Sequence, residues 1–288
     1  MKDAHTPGEP SHQVVRAVAA LFVPGNRPDR FDKALAAGAD VIIIDWEDAV
    51  APDQKRDARA HTTTWVLANP QSQTQVVVRI NASDTPEHGK DLEALTKLRL
   101  LMPEIFPAVM LAKSENPEAL GELVNLCGSP ITVCALIESA VGLDRANTLA
   151  AVPGVERLAF GALDFSLDTG MDPGPDVMAF ARQQIVLASR IAGIHPPLDS
   201  PDTTISDTEA MYQSSVSARR YGMAGKLCIH PNQVEPIMKG FSPSPEQITW
   251  AKSVIGAGLD ATQIDGRMVD RPVIERARQI LERQEKPR

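Results

Sequence analysis

The stretch Val41-Ile42-Ile43-Ile44-Asp45-Trp46-Glu47-Asp48 decides the fold: four branched apolar residues run straight into a set of acids. A strand that is apolar at every position has both faces covered, which is the habit of parallel sheets flanked by helices. The same pattern recurs at Val18–Val23, Val76–Ile80, Ala108–Leu111, Ile131–Ile137, Arg157–Phe160 and Gly225–Ile229, with a weaker run at Pro197–Asp199. Between these runs lie stretches with apolar residues every three or four positions: 28–37, 53–68, 90–101, 117–126, 140–151, 175–192, 207–221 and 232–239. Eight strand–helix units in about 230 residues predict a (β/α)8 TIM barrel. The rival, a doubly wound sheet, usually carries a Gly-rich phosphate loop after its first strand. That position here reads Phe22-Val23-Pro24-Gly25-Asn26, without such a loop.

The 288 residues therefore divide into a polar tail over 1–16, expected to be disordered, a barrel over 17–242, and a C-terminal helical extension over 243–288. Ser244–Gly258 starts with a good cap and a first-turn proline, and Pro272–Glu285 forms a charged last helix. Such an extension either lies over the mouth of its own barrel as a lid or reaches a neighbour. A chain of this length buries a large core without disulfides. Cys127, Cys134 and Cys228 have no metal-site spacing and read as reduced thiols of a cytoplasmic protein. The N-terminus has no apolar signal core, and no apolar run reaches the ~18 residues of a membrane span. With 29 basic against 37 acidic residues the net charge is −8, which excludes a nucleic-acid partner.

Barrel chemistry collects at the C-terminal ends of the strands. The residues there form a ring of acids with few bases: Asp45, Glu47 and Asp48; Arg79; Lys113; Glu138; Asp164; Asp199; and His230. Glu138 and Asp164 end neighbouring strands, where two carboxylates need a counter-charge. A hard cation such as Mg²⁺, with Mn²⁺ as a substitute, meets that need with one or two carboxylates and retained waters. The alternative is that Glu138 caps the next helix and Asp164 stabilises a turn. Arg79, at the tip of a buried strand, needs an anionic partner: Glu47 or Asp48 on one reading, a substrate carboxylate on the other. Glu47 joins the catalytic candidates, and Asp48 joins Arg79 and Glu138 among the substrate-binding ones. Arg27, Arg30 and Lys33 offer positive charge at the first strand's exit or form a solvated helix face. Lys113 has the chemistry for a Schiff base. His230 reads as a hydrogen-bonded residue, and Asp270 caps the last helix or contributes to a site.

Several motifs together resemble the citrate lyase β-subunit-like branch of the HpcH/HpaI aldolase family. They are Leu21–Gly25 with Arg27–Arg30, Asp45–Val50 with Lys55, Val78–Asn81, Leu136–Gly142, Gly161–Asp164, Gly225–Gln233 and Met268–Pro272, in order from about residue 17 to 285. The resemblance implies a (β/α)8 barrel, Mg²⁺, and reversible cleavage of a malyl-CoA- or citramalyl-CoA-type thioester into an acyl-CoA and a 2-oxo acid. It implies Glu138 and Asp164 as metal ligands and Arg79 on the substrate carboxylate and carbonyl. Phe22, Arg30, Lys33 and Asp199 would lie along CoA. Asp270 would be a general acid/base supplied by an adjacent subunit of a homotrimer, or of a dimer of trimers. Trp46, Ala112 and Leu163 depart from the usual family residues: the first two bear on pocket shape, and the third removes one charge near the metal. Two alternatives stay open: a citrate lyase β-type subunit acting on a carrier-protein thioester, and a non-catalytic barrel that binds a dicarboxylate or CoA ester.

Overall fold

Successive side chains of a strand face opposite sides, so each apolar run splits into an inward and an outward set. The chain was analysed as a computed structural model that describes residues 13–102, 106–128, 132–256, 263–264 and 267–285. Eight parallel strands close into a barrel in chain order: β1 (Ala19–Pro24), β2 (Val41–Asp45), β3 (Val76–Ile80), β4 (Ala108–Leu111), β5 (Val133–Ile137), β6 (Val155–Phe160), β7 (His195–Asp199) and β8 (Gly225–Cys228). Strand β8 pairs back onto β1, so the barrel has no free edge. Val41, Ile43, Val77, Met110, Cys134 and Leu136 fill the interior, while Ile42, Ile44, Val78, Leu111 and Ile137 pack outward against the helices.

That alternation positions the site. Counting two residues on from Ile43, Val77 and Leu136 brings Asp45, Arg79 and Glu138 to the inside at the C-terminal rim. The register sets Asp45 directly beside Arg79.

The helices are α1 (Phe31–Leu35), α2 (Lys55–Ala68), α3 (Pro86–Leu101), α4 (Pro117–Cys127), α5 (Ala140–Asp144), α6 (Ala146–Ala150), α7 (Ala162–Thr169), α8 (Ala179–Ala192), α9 (Thr208–Tyr221) and α10 (Val234–Phe241), followed by α11 (Pro245–Gly256) and α12 (Arg271–Glu285). Asn116, Ser139 and Asp207 cap α4, α5 and α9 by accepting main-chain N–H groups. Left-handed Gly170, Gly193 and Gly222 end α7, α8 and α9. Two details differ from the sequence reading. The helix expected over 140–151 is broken at Arg145, whose guanidinium donates to the Glu115 carbonyl at 2.9 Å. The crossover after β6 holds the short helix α7 ahead of α8, which starts at Ala179.

The barrel floor corrects the expected tail. Residues 1–12 of that tail lie outside the described residues, but Gln13–Val15 form a tight turn that buries Val14 and Val15. Their two apolar side chains join the interior cluster and stopper the barrel. Arg157, fully buried, donates to the Val14 and Ala17 carbonyls at 2.7 Å each and to the Pro196 carbonyl at 2.9 Å.

At the other end of the chain, α11 and α12 pack on each other around Ala251, Val254, Val269, Ile274, Ala277 and Ile280. Between them, Gln263–Ile264 and Arg267–Met268 pair as a small antiparallel ladder. Arg219, near the end of α9, ties the extension's start to the barrel by donating to Ser242 (2.8 Å) and Gln247 (3.3 Å). A crossover helix runs back from the mouth to the floor, so this anchor lies at the floor end of the barrel.

Candidate active site at the barrel mouth

Asp45 is the hub of the mouth. Its buried carboxylate grips Arg79 in a bidentate fork, with Nε at 2.7 Å and Nη2 at 2.6 Å. It also accepts the main-chain N–H groups of Glu47 and Ala49, at 2.9 Å each, which folds the β2 exit into a tight loop. Lys55 fastens that loop from α2 by donating to the Trp46 and Glu47 carbonyls and to Asn81. Arg79 completes its contacts through Nη1 to Glu47 at 3.1 Å and lies over the Phe22 ring, 4.6 Å from its centroid. Two expectations are thereby revised. One edge of the Arg79 fork is committed to Asp45 and Nη1 is paired with Glu47. Phe22 is the floor under Arg79.

Glu138 sits 3% exposed at the end of β5. Its Oε1 accepts the main-chain N–H of Lys113 at 2.7 Å, and Ser139, not Glu138, caps α5. Its Oε2 faces Gly161: a Cβ on that glycine would stand 2.5 Å from Oε2 and 2.8 Å from the Glu138 Cβ. Only a glycine lets this carboxylate lie against the β6–α7 turn, which also carries Asp164. Burial pushes Glu138 up to about 8, with nearby Asp164 adding to the rise and Arg79 and Lys113 opposing it.

Lys113 has φ +45°, the one non-glycine residue with positive φ among the described residues. Such a backbone costs energy for a residue with a Cβ and clusters at functional sites. It aims the Lys113 N–H at Glu138 while the ammonium reaches Glu47 at 2.5 Å, Asp48 at 3.1 Å and Asp164 at 3.6 Å. Although burial opposes it, the bond and charge of Glu47 hold Lys113 well above the ordinary lysine value. An ammonium so held is a poor nucleophile, which disfavours a Schiff base. Burial raises Glu47 above the usual carboxylate value despite Arg79 and Lys113.

The mouth thus gathers Asp45, Glu47, Asp48, Glu138 and Asp164 against Arg79 and Lys113, five carboxylates to two cations. That excess and the Gly161 cradle suit a divalent cation. No cluster of three or more His, Cys, Asp or Glu ligands occurs among the described residues. Two carboxylates with water is a Mg²⁺ arrangement rather than a zinc cage.

The remaining candidates disperse. Arg30 and Lys33 are exposed at the start of the first crossover, whereas Arg27 is spent on Asp29 at 2.8 Å. Asp199 is 1% exposed and bound to Arg182 (2.8 Å) and Lys226 (3.4 Å). It braces the wall and is closed off from a cofactor. His230 accepts the Asn232 N–H at 3.2 Å. Asp270 is exposed and accepts the Val273 N–H at 3.2 Å, at the head of α12. Sequence reading missed Asp45 as Arg79's partner and Gly161 as Glu138's cradle. Both lie inside quoted motifs, but their roles depend on which strands are neighbours and in what register.

The chain matches the HpcH/HpaI aldolase/citrate lyase family over residues 18–231. A citrate lyase subunit beta-like protein of Mycobacterium tuberculosis is 35% identical over 273 residues, covering 91% of this chain and 94% of that one. An L-malyl-CoA/beta-methylmalyl-CoA lyase of Cereibacter sphaeroides is 30% identical, covering 92% and 93%. The crystal structure of protein CitE from M. tuberculosis in complex with magnesium, acetoacetate and coenzyme A superposes with a TM-score of 0.80 at 34% identity, over 93% of this chain and 98% of that one. With a closed eightfold barrel, an acid-rich mouth and a match along most of its length, this chain belongs to the HpcH/HpaI aldolase/citrate lyase family of carbon–carbon lyases.

Proposed function

We propose that the protein is a Mg²⁺-dependent lyase that reversibly cleaves a 3-hydroxy-carboxyacyl-CoA, of the malyl-CoA or citramalyl-CoA kind, into an acyl-CoA and a 2-oxo acid. Glu138 lying against Gly161, with Asp164 three residues beyond that glycine and Lys113 bound to both carboxylates, carries this reading. Glu138 and Asp164 hold the cation, which when bound supplies Lewis acidity toward the hydroxyl, carboxylate and departing carbonyl oxygens of the substrate. Arg79, locked by Asp45, offsets negative charge growing on oxygen as the C–C bond breaks. Glu47 and Asp48 hold the Lys113 ammonium at the rim. Arg30 and Lys33 meet the phosphates of CoA.

In cleavage the substrate's hydroxyl proton passes to water as the C=O bond forms and the C–C electron pair goes to the acyl-CoA enolate, which Asp270 in its acid form protonates; in condensation the ionised Asp270 removes that proton and the new alkoxide takes one from water. Because the extension is anchored at the floor end of its own barrel, Asp270 acts on the mouth of a neighbouring copy in a homotrimer. The test is turnover of free malyl-CoA and citramalyl-CoA by the purified chain, with Mg²⁺ and after chelation. Metal-dependent release of an acyl-CoA is expected; no release from either thioester overturns the reading.

A further inference from the structure

Where the extension meets the barrel, two helices bring arginines to one cleft. Arg219 and Arg220 lie in the last turn of α9, and Arg276 and Arg283 stand two turns apart on α12, with Ile280 between them on the same face. Together with Gln247 they line a cleft of about 320 Å³ at the floor end of the barrel. Its polar groups are donors. Gln247 spends its carbonyl oxygen on Arg219 and on the Ser244 N–H, which leaves its amide hydrogens to donate. Arg276 lies over the Trp250 ring, 5.5 Å from its centroid, and Arg283 donates to the Gln279 carbonyl of its own helix. Among the described residues none of the four guanidiniums pairs with a carboxylate, on a chain that carries 37 acids and a net charge of −8. Burial lowers Arg219 below the ordinary arginine value, and the like charge of Arg283 adds to the fall. An arginine does not shed its proton to escape such repulsion, so a counter-ion is what relieves it.

We propose that this cleft binds a compact, multiply charged oxyanion, a short phosphate chain or a polycarboxylate, and that the anion joins α12 to α9. Guanidinium forks match the oxygens of phosphate and carboxylate groups alike. A phosphate group carries about −1.5 to −2, so two or three linked phosphates, or several carboxylates on one small molecule, approach the four positive charges. The volume sits at the lower end of the ~300–1,000 Å³ of small-ligand sites, which suits a compact anion rather than a large cofactor. Once seated, the anion turns the repulsion between Arg219 and Arg283 into two attractions, one from the barrel and one from the extension. This cleft is separate from the proposed CoA contacts, because Arg30 and Lys33 stand at the opposite end of the barrel, where the first crossover leaves the mouth.

The experiment titrates the full chain with pyrophosphate and with citrate by calorimetry, at ~0.15 M ionic strength. It uses neither metal nor thioester, so its outcome is independent of any lyase activity. At least one of the two anions is expected to bind at one site per chain with a Kd below about 1 mM and to raise the melting temperature. The tighter one assigns the site to phosphate or to carboxylate chemistry. Arg220→Gln with Arg283→Gln should weaken that binding at least about tenfold, while the anion-free variant melts no lower than wild type because a repulsion has gone. If that pair melts lower, Arg276→Gln takes its place, with the same loss expected. Arg30→Gln with Lys33→Gln, at the mouth, should bind as wild type does. The inference is overturned by binding of neither anion, by undiminished affinity in the cleft variants, or by a loss confined to the mouth variant.

Discussion

Gly161→Ala is the most direct probe of the mouth. Gly161 has φ −110°, so alanine meets no backbone strain there, and the whole effect comes from the added methyl. That methyl would sit 2.5 Å from Glu138 Oε2 and 2.8 Å from Glu138 Cβ. The carboxylate tip can swing away, but the Cβ is one bond from β5 and yields only if the strand shifts. Overpacking of this kind costs about 1–3 kcal/mol, and in a large domain each kcal/mol lowers the melting temperature by about 2–4 °C. The swing also moves one of the two proposed ligands. Losing a group that orients a metal ligand weakens binding about 10–100-fold, and at least the lower figure is expected for Mg²⁺ here. Melting curves and calorimetric Mg²⁺ titration of wild type and variant measure both effects. Gly121→Ala, inside α4 where a Cβ meets nothing within 4 Å, is the steric control; it should melt about 0.5–1 kcal/mol more stably, as alanine in place of a helix-interior glycine does, and leave Mg²⁺ binding unchanged. A Gly161→Ala protein that melts with the wild type and binds Mg²⁺ equally well would refute the cradle.

Three further outcomes follow from the same geometry. Glu138's raised value, about 8, means the fold favours its protonated form, so its contribution to stability is full below pH ~4.5 and lost as pH rises through about 8. Mg²⁺ needs the ionised form, so calorimetry should show proton release on binding and an affinity falling about tenfold per unit below pH 8; pH-independent affinity between 6 and 8, on the order of a two-unit span, contradicts this. Asp45→Asn breaks the buried fork to Arg79 and should cost about 3–5 kcal/mol in urea unfolding; a cost below ~1 kcal/mol would show that Arg79 is held otherwise. Asp270→Asn keeps the helix cap, since asparagine caps as well as aspartate. Its melting temperature should therefore hold while turnover drops by at least about 10²-fold, and an active variant removes Asp270 from the chemistry.

The barrel was legible because its signals are local. Runs such as Val41–Ile44 and Val76–Val78 declare themselves residue by residue, and their C-terminal neighbours are the rim. Side-chain pairing was not local. Arg79 reads as a partner of Glu47 or Asp48, and it does reach Glu47, but its bidentate fork goes to Asp45 because β2 and β3 align those two positions. Asp199 ended a strand like the other rim acids, but Arg182 from α8 and Lys226 from β8 neutralise it in the wall. Helix α7 was missed because eight residues give too few turns for a helical period to register. Val14 and Val15 were counted with a polar tail because two apolar residues make no pattern until a barrel floor is there to receive them.

The hold of Arg157 on the chain's beginning has a consequence for how the molecule is made. Its partners, the carbonyls of Val14 and Ala17, are 143 and 140 residues earlier in the chain. Contacts so distant in sequence form late and slow folding. During synthesis the earliest segment must wait, unsealed, until β6 has emerged from the ribosome. A cut or fusion that removed residues 14–17 would leave a permanent positive charge facing dry aliphatic walls, whereas changes ahead of Gln13 leave those carbonyls in place.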